Sequence, residues 1–483
     1  MGSYETVIGL EVHAELLTES KIFCGSSAHF GGEPNTHVDP VTLGLPGALP
    51  VLNEKVLEMA IQAGLATECR IARKTKFDRK HYFYADLPKG YQITQFDYPI
   101  AEAGLIRFAM AGEDKKVRLN RIHMEEDAGK LVHAGAAGMS GSTHSLADYN
   151  RAGVPLLEIV SEPDIRSSEE ARLYLETLRS ILMAIGVCDG KMEEGSLRCD
   201  ANISLRPVGS ETFGTRVEIK NINSFRFLQK AIDYEVHRQS IALDNGETLV
   251  QETRLWDETK GVTRSMRSKE DAHDYRYMPD PDLIWYHVSE AKIQELQDQL
   301  PELPAAQQAR YEALGLQSEE SSILVNAPEL AQLFEDSLAL GAPAKETSKW
   351  LTGDISAYLN QNETTLADTA LTAAHLHELL QLIDNGKISG KIAKSLLPDI
   401  MTQSKSPAQL VDEKGLSQIS DTGALQEIID GVLQANPAQV EEYLAGKHKV
   451  LGFLMGQVMK ATKGQADPGM ASQMVRQSLQ NKA

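Results

Sequence analysis

The stretch SLRCDANISLR, residues 196–206, alternates without a break. Leu197, Cys199, Ala201, Ile203 and Leu205 fall on one side of an extended chain. Ser196, Arg198, Asp200, Asn202, Ser204 and Arg206 fall on the other. Side chains of a strand point alternately to its two faces, so the pattern predicts a strand with an apolar back and a polar front. The front mixes cation, anion and amide, a set that suits phosphate or ribose and equally suits plain water.

The same design recurs elsewhere. In TVIGLEVHAEL (6–16), Ile8, Leu10, Val12, Ala14 and Leu16 form the back, and Glu11, His13 and Glu15 the front. TRVEIKNIN (215–223) puts Arg216, Glu218 and Lys220 on one face. RIHMEEDAGK (121–130), if extended, puts His123, Glu125 and Asp127 on one face and Glu126 on the other, although three consecutive acids more commonly mark a solvated turn. VPLLEIV (154–160) is apolar on both sides except at Glu158, and a carboxylate buried without a partner is costly.

Each stretch alone has a plain explanation as the wet face of a sheet. Together they raise the question of convergence. Two carboxylates about 4 Å apart repel by roughly 4 kcal/mol at an effective dielectric near 20. Converging acids therefore shift their pKa values or hold a cation. With oxygen donors and no thiolate that cation is a hard one such as Mg²⁺.

Between these strands lie turns more often than regular helices, which predicts a mainly antiparallel sheet with a few helices packed on it, an α+β fold. LNEKVLEMAIQAGLA reads as a helix capped by Asn53, and SSEEARLYLETLRSILMAIG as a serine-capped one. After about Val288 helical periodicity takes over, as in TLADTALTAAHLHELLQLI. QSKSPAQLVDEKG (403–415) reads as a linker before a last helical segment beginning near Leu416.

The chain has 483 residues, enough for about three domains. Its composition, 42% hydrophobic and 24% charged, is that of a globular protein. No signal peptide and no apolar run of membrane-spanning length is expected. Four cysteines without a C-x-x-C pair fit a reducing compartment, so a cytoplasmic location is expected. A net charge of −20 argues against general nucleic-acid affinity, DNA included. The charge is uneven, however: from Tyr443 onward six Lys/Arg face one acid, Asp467. In GKHKVLGFLMGQVMKATK (446–463), Val450, Leu451, Leu454 and Val458 recur at helical spacing, flanked by Lys447, Lys449, Lys460 and Lys463.

Aromatic and basic residues interleave in KFDRKHYFYADLPKGYQITQ (76–95), which holds Arg79, Lys80 and Tyr82, and again in TRSMRSKEDAHDYRYMPDPDL (263–283), a mixture that can stack bases and grip phosphates. No G-x-x-x-x-G-K-[ST] phosphate loop and no G-x-S-x-G elbow occurs. GAAGMSGSTHS (135–145) reads as a hairpin tip rather than an amidase serine loop.

Read together, GLEVHAEL, GLPGALPVLN, KFDRKHYFYADLPKGYQ, HMEEDAG, NRAGVPLLEIVSEPD, GSLRCDANIS, VEIKNINSFRF, YRYMPDPDL and LGFLMGQVMKATKGQADP closely resemble the GatB family, the B subunits of glutamine-dependent aspartyl/glutamyl-tRNA amidotransferases. The resemblance runs in order along essentially the whole chain. It implies a kinase-like cradle domain (1–290), a helical domain (291–405) and a tRNA-binding tail (406–483). It also implies an ATP-dependent carbon–nitrogen ligase. The side-chain carboxylate of Glu-tRNA(Gln) or Asp-tRNA(Asn) is phosphorylated and then amidated by ammonia, which an amidase A subunit releases from glutamine; a small C subunit completes the complex. By the same resemblance Glu11, His13 and Glu125 are Mg²⁺ ligands, with Glu126 in the catalytic set. Arg198, Asp200 and Lys220 serve the nucleotide. Arg79, Lys80 and Tyr82, and in the tail Lys447, Lys449, Lys460 and Lys463, serve the tRNA. Many relatives carry four zinc-ligating cysteines where this chain has Cys24, Ser26, Asp39 and Thr42, so no zinc is expected. The rival readings are a non-catalytic tRNA-binding scaffold, with all chemistry in a partner, and a metal-dependent nuclease.

Overall fold

The computed structural model describes residues 4–134, 144–268, 275–416, 422–462, 466 and 468–481. The chain divides into two compact units, Met1–Ala305 and Ala306–Ala483.

The first unit is built on a nine-stranded sheet. In chain order its strands are β1 (Tyr4–Glu15), β2 (Arg70–Ile71), β3 (Ala101–Met110), β4 (Glu113–Glu126), β5 (Pro155–Ser161), β6 (Leu197–Pro207), β7 (Val217–Ile222), β8 (Glu252–Asp257) and β9 (Val262–Ser268). The spatial order is β9-β8-β7-β6-β1-β5-β4-β3-β2. Thus β1 lies in the middle, antiparallel to both β5 and β6. Among the described residues every pairing in this sheet is antiparallel except β7–β8, which are parallel. That step is joined by the helix α3 (Phe225–Asp244), since parallel neighbours need a crossover. The sheet is thus mainly antiparallel, as expected.

The apolar backs do what alternation predicts. Ile8, Leu10, Val12 and Ala14 of β1 and Leu197, Ala201 and Ile203 of β6 are fully buried. They pack with Tyr174, Leu175, Leu178 and Leu182 of α2 (Ser168–Ala184) and Leu228, Ala231 and Ile232 of α3 in one core. Burial of each large aliphatic contributes about 1.5–3 kcal/mol, which fixes the register, because a slip by one residue would turn the charged face inward. α1 (Glu54–Ala66) and α2 begin at the expected caps: the side chain of Asn53 accepts from the Lys55 amide, and that of Ser167 from the Glu170 amide. Glu235 of α3, wholly buried, accepts from Arg238, Gln239 and Thr263 and so ties the β8–β9 ribbon to the helix.

A small hairpin, Asp78–His81 with Tyr91–Thr94, belongs to a separate three-stranded sheet with Met278–Pro279. Strands Lys130–Ala134 and His144–Asp148 pair antiparallel, as a hairpin requires. Of the expected tip, 135–145, residues 135–143 lie outside the described residues, and His144 and Ser145 open the second strand.

The second unit is helical and holds two apolar clusters. One gathers Tyr311, Phe334, Leu351, Leu376, Leu396 and Ile400, among others. The other is smaller and includes Leu425, Ile429, Leu454, Val458 and Val475. The expected linker 403–415 proves to be structured: Pro407–Lys414 is a helix opened by Ser406 in a capping box and closed by Gly415 at φ 59°. Its Leu410 and Val411 are buried in the larger cluster. Ser-Pro is a helix-start signal, masked here by the polar residues around it.

Candidate active site

The polar fronts converge. Strand pairing lines up His123 of β4, Glu158 of β5, His13 of β1 and Arg198 of β6 in a row across the sheet. The next row holds Arg121, Val160, Glu11 and Asp200. Directly paired residues project to the same face, so these residues and Glu125, two places beyond His123, share one surface.

Two compact clusters result. In the first, the imidazole Nε2 of His13 is 3.5 Å from Glu158 and 3.8 Å from Glu125. His123 Nε2 approaches the same carboxylates at 3.2 and 3.6 Å. His123, Glu125 and Glu158 are almost wholly shielded. Burial alone would make both imidazoles neutral, yet the two carboxylates raise both, His123 to about 9. Burial would likewise protonate the acids, but His123 holds Glu125 below the ordinary range and the two imidazoles hold Glu158 well below it. Lys80 adds a third positive charge: against burial, Glu125, Tyr277 and Glu158 keep its ammonium firmly protonated.

The second cluster unites Glu11, Asp200 and Glu218. Asn202 donates to Glu11 at 2.8 Å and Thr253 to Glu218 at 2.9 Å. A bulge brings Lys220 in: Cys199 pairs with Ile222 and Ala201 with Ile219, leaving Lys220 and Asn221 opposite Asp200. Asn221 sits there at φ 66°. Lys220 bonds Asp200 and lies 3.4 Å from Glu218, and these acids keep it protonated against burial.

A cavity of about 630 Å³ adjoins one end of this face, lined by Glu15, Arg151, Arg198, Asp200, Asn221 and others. A second, of about 320 Å³, lies along Val7, Gly9, Glu11, Asn202, Ser204 and Phe213. Arg198 bonds Asp127, which lies 3.6 Å from Arg151.

The expected site residues thus separate. His13 and Glu125 belong to one cluster and Glu11 to the other, so the set Glu11, His13 and Glu125 is not a single constellation. Glu126 faces away, as alternation requires, and bonds Lys89 and the Ile93 amide. The acids of 125–127 are not a solvated turn: they are 3, 4 and 5% exposed. Arg198, Asp200 and Lys220 are on the face, each already engaged by an opposite charge. Lys80 and Tyr82, expected at the tRNA, lie within electrostatic reach of Glu125 of the first cluster, with Lys80 5.8 Å from the Tyr82 ring centre. Arg79, also expected at the tRNA, is engaged within the chain. It is tied to Asp280 at 2.8 Å and Asp282 at 2.7 Å and stacked on Tyr91, which is an internal clamp. In the tail Lys447, Lys449 and Lys460 are exposed or partly so, and Lys463 lies outside the described residues. Glu158 and His123 complete the first cluster. Their signals are a lone carboxylate in an apolar strand and a spacing of two from Glu125.

At the cysteine-poor loop, Cys24 Sγ is 3.6 Å from the Thr42 hydroxyl, and Asp39 accepts from the Thr42 amide at 2.8 Å. Beside them the fully buried Lys21 ammonium donates to the carbonyls of His37 and Tyr149.

An antiparallel sheet that presents paired carboxylates, imidazoles and cations beside two cavities, followed by helical modules, defines a class of enzyme that handles anionic substrates. The chain matches the family model described as the GatB/GatE catalytic domain over residues 6–294 and the GatB domain over residues 332–479. It belongs to the GatB family. It is 55% identical to the B subunit of the aspartyl/glutamyl-tRNA(Asn/Gln) amidotransferase of Thermosynechococcus vestitus, over 99% of this chain and 97% of the relative. It is 54% identical to the corresponding protein of Synechococcus elongatus, over 99% and 98%, and 53% identical to that of Geobacter sp. strain M21, over 99% of each.

Proposed function

We infer that this chain is the B subunit of a tRNA-dependent amidotransferase, a glutamine-dependent, ATP-using ligase. It activates the side-chain carboxylate of Glu-tRNA(Gln) or Asp-tRNA(Asn). The observation that carries this reading is the convergence of two carboxylate clusters, each with its own cations, on one sheet face between two cavities.

The chemistry follows from charge. A carboxylate oxygen attacks the γ-phosphorus of ATP, ADP leaves, and an acyl phosphate forms. Ammonia then attacks the acyl carbon and inorganic phosphate leaves, giving the amide. Both partners in the first step are anions, so neutralisation and alignment are what a protein chiefly supplies. Arg198 and Lys220 are held at the rim by Asp127 and Asp200 and can exchange those partners for phosphate oxygens. Lys80 lies within electrostatic reach of the first cluster and suits the incoming carboxylate.

The donor set fits Mg²⁺: carboxylate oxygens with imidazole nitrogen, within 4.8 Å of one another in each cluster, and no thiolate. Glu11, Asp200 and Glu218 would hold it, as would His13, Glu125 and Glu158 once His13 gives up its proton, and it would supply charge neutralisation on the phosphates. His123, touching both Glu125 and Glu158, fixes how those carboxylates face His13. Exclusion of water matters because an acyl phosphate hydrolyses readily, and the buried flank of His123 and Glu125 contributes to it.

The partners in this reading are an amidase A subunit that delivers ammonia, a small C subunit and the misacylated tRNA. No helix among the described residues is long and apolar enough to cross a membrane, which suits work in the cytoplasm beside translation. The three-part division into cradle, helical and tail domains is supported by the separate apolar clusters. The tail lysines suit the tRNA backbone.

The test is ATP hydrolysis by the reconstituted complex with and without misacylated tRNA. Hydrolysis stimulated by misacylated tRNA and coupled to amide formation is expected. A complex whose ATP use ignores the tRNA, or that cleaves RNA without ATP, overturns the reading.

A further inference from the structure

Outside the charged clusters one surface combines aromatic rings with cations. Phe96 and Tyr277 are stacked face to face, with ring centres 4.2 Å apart and planes inclined by 11°. Tyr98, two residues on from Phe96, meets Trp285 edge to face at 4.9 Å. These rings are not core: Phe96 is 36% exposed, Tyr98 47% and Trp285 38%. Aromatic residues make up only 6% of the chain, so two ring pairs joined through the short segment 96–98 are a local concentration.

The rings are rimmed with positive charge. Lys74 lies 4.0 Å over the Trp285 ring. Lys76 lies 5.6 Å from Tyr98, with Asp78 and Asp97 as its ion partners. Arg121 donates to the Phe96 carbonyl at 3.1 Å. The surface is also continuous with the active-site face. Arg121 belongs to the cross-sheet row that contains Glu11 and Asp200. Lys80 lies within electrostatic reach of both Tyr277 and the carboxylates Glu125 and Glu158.

Rings half open to solvent beside cations are the equipment for unpaired nucleotides, whose bases stack on any π face while the backbone seeks positive charge. A ring in a parallel pair has a second face to offer. The occupant must also place its end next to Lys80 and the carboxylate clusters.

We propose that the Phe96–Tyr277 stack, extended by Tyr98 and Trp285, is the platform on which the unpaired 3′-terminal bases of the aminoacylated RNA stack, so that the esterified amino acid reaches the clusters. The proposal rests on the amidotransferase reading above and assigns the acceptor end to residues that reading leaves unassigned. Arg79, bound to Asp280 and Asp282, braces the segment that carries Tyr277 and Trp285.

The test uses the full complex and two uncharged tRNAs, one intact and one trimmed of its single-stranded 3′ end. Phe96→Ala and Trp285→Ala are compared with the native complex, and Phe96→Tyr serves as the ring-retaining control. For intact tRNA each alanine variant is expected to weaken binding about tenfold, the loss of one stacked base. For trimmed tRNA it should change binding less than about twofold, and Phe96→Tyr should restore affinity. Equal losses on both tRNAs, or none on either, overturn the platform. So does dissociation of the complex by these variants, seen as a change of mass in solution, because that would make the surface a protein interface. Amidation by the native complex is measured in parallel. If it fails, the amidotransferase reading falls; if it succeeds without coupling between ring and RNA end, only the platform falls.

Discussion

One oxygen of Glu158 lies between two imidazoles, 3.2 Å from His123 Nε2 and 3.5 Å from His13 Nε2. The three residues come from β5, β4 and β1 and meet because β5 is paired on both sides. Glu158 is thus the centre of the first cluster.

Glu158→Gln keeps the shape but removes the charge that raises the pKa of both imidazoles. Amidation by the complex is expected to fall about 100-fold, the size of loss typical for one preorganised electrostatic group. Glutamine hydrolysis by the partner should continue. Single-turnover amidation beside a glutaminase assay checks it, and an unchanged amidation rate would remove Glu158 from the site.

Glu11 belongs to the other cluster, bonded by Asn202 and close to Asp200 and Glu218. Glu11→Gln should abolish ATP-dependent amidation at limiting Mg²⁺ and recover part of it as Mg²⁺ is raised. Glu158→Gln also removes the carboxylate shared by two imidazoles, a loss that added Mg²⁺ does not replace, so its amidation should respond less. A Mg²⁺ titration of both variants separates the clusters; superimposable curves would show that they act as one.

Arg198→Ala takes the counter-charge from Asp127 at the mouth of the larger cavity. The expected result is a KM for ATP raised about tenfold with tRNA affinity nearly unchanged, the loss of one charge-assisted contact to phosphate. Weaker tRNA binding with a normal KM for ATP would assign Arg198 to the RNA.

Glu15 yields a pH prediction. Burial and the neighbouring Asp127 push its carboxyl up from 4.5 to about 8. Between those values the folded protein binds a proton that the unfolded chain has released. The stability it contributes is therefore complete below about pH 4.5 and is lost as pH rises toward 8. Glu15→Gln removes this slope. The variant should match the native protein near pH 5 and exceed it at pH 8 by about 3–5 kcal/mol, since the shift spans more than three pKa units at about 1.4 kcal/mol each. Urea midpoints at three pH values measure it; parallel pH profiles would refute the shifted carboxyl.

The tail can be removed cleanly after residue 416 but not at Ser406, because Leu410 and Val411 belong to the larger helical core. Deleting residues 417–483 should leave the complex assembled and its glutaminase intact while tRNA affinity falls. Each lost phosphate contact lowers the log–log salt slope by about 0.9, so loss of contacts by Lys447, Lys449 and Lys460 should lower it by about 2–3. Equal affinity with parallel salt slopes would show that the tail does not bind RNA.

What the sequence determined alone is local. The alternation in SLRCDANISLR and TVIGLEVHAEL sets strand and face, because side-chain direction follows from the backbone with a period of two. Asn53 and Ser167 start their helices because a cap needs only the neighbouring amides. Even the turn of Glu126 away from the polar front follows from its place after Glu125. Tertiary structure decided which fronts meet. His123, Glu158, His13 and Arg198 are distant in the chain and become neighbours only through the order β4-β5-β1-β6. No local rule predicts that Glu11 joins Asp200 and Glu218 rather than His13, since this depends on register and on the bulge that swings Lys220 inward. The burial of Glu125, Glu126 and Asp127 was hidden for the same reason. Three acids in a row favour water unless distant segments bring them cations, and here His13, Lys89 and Arg198 do so.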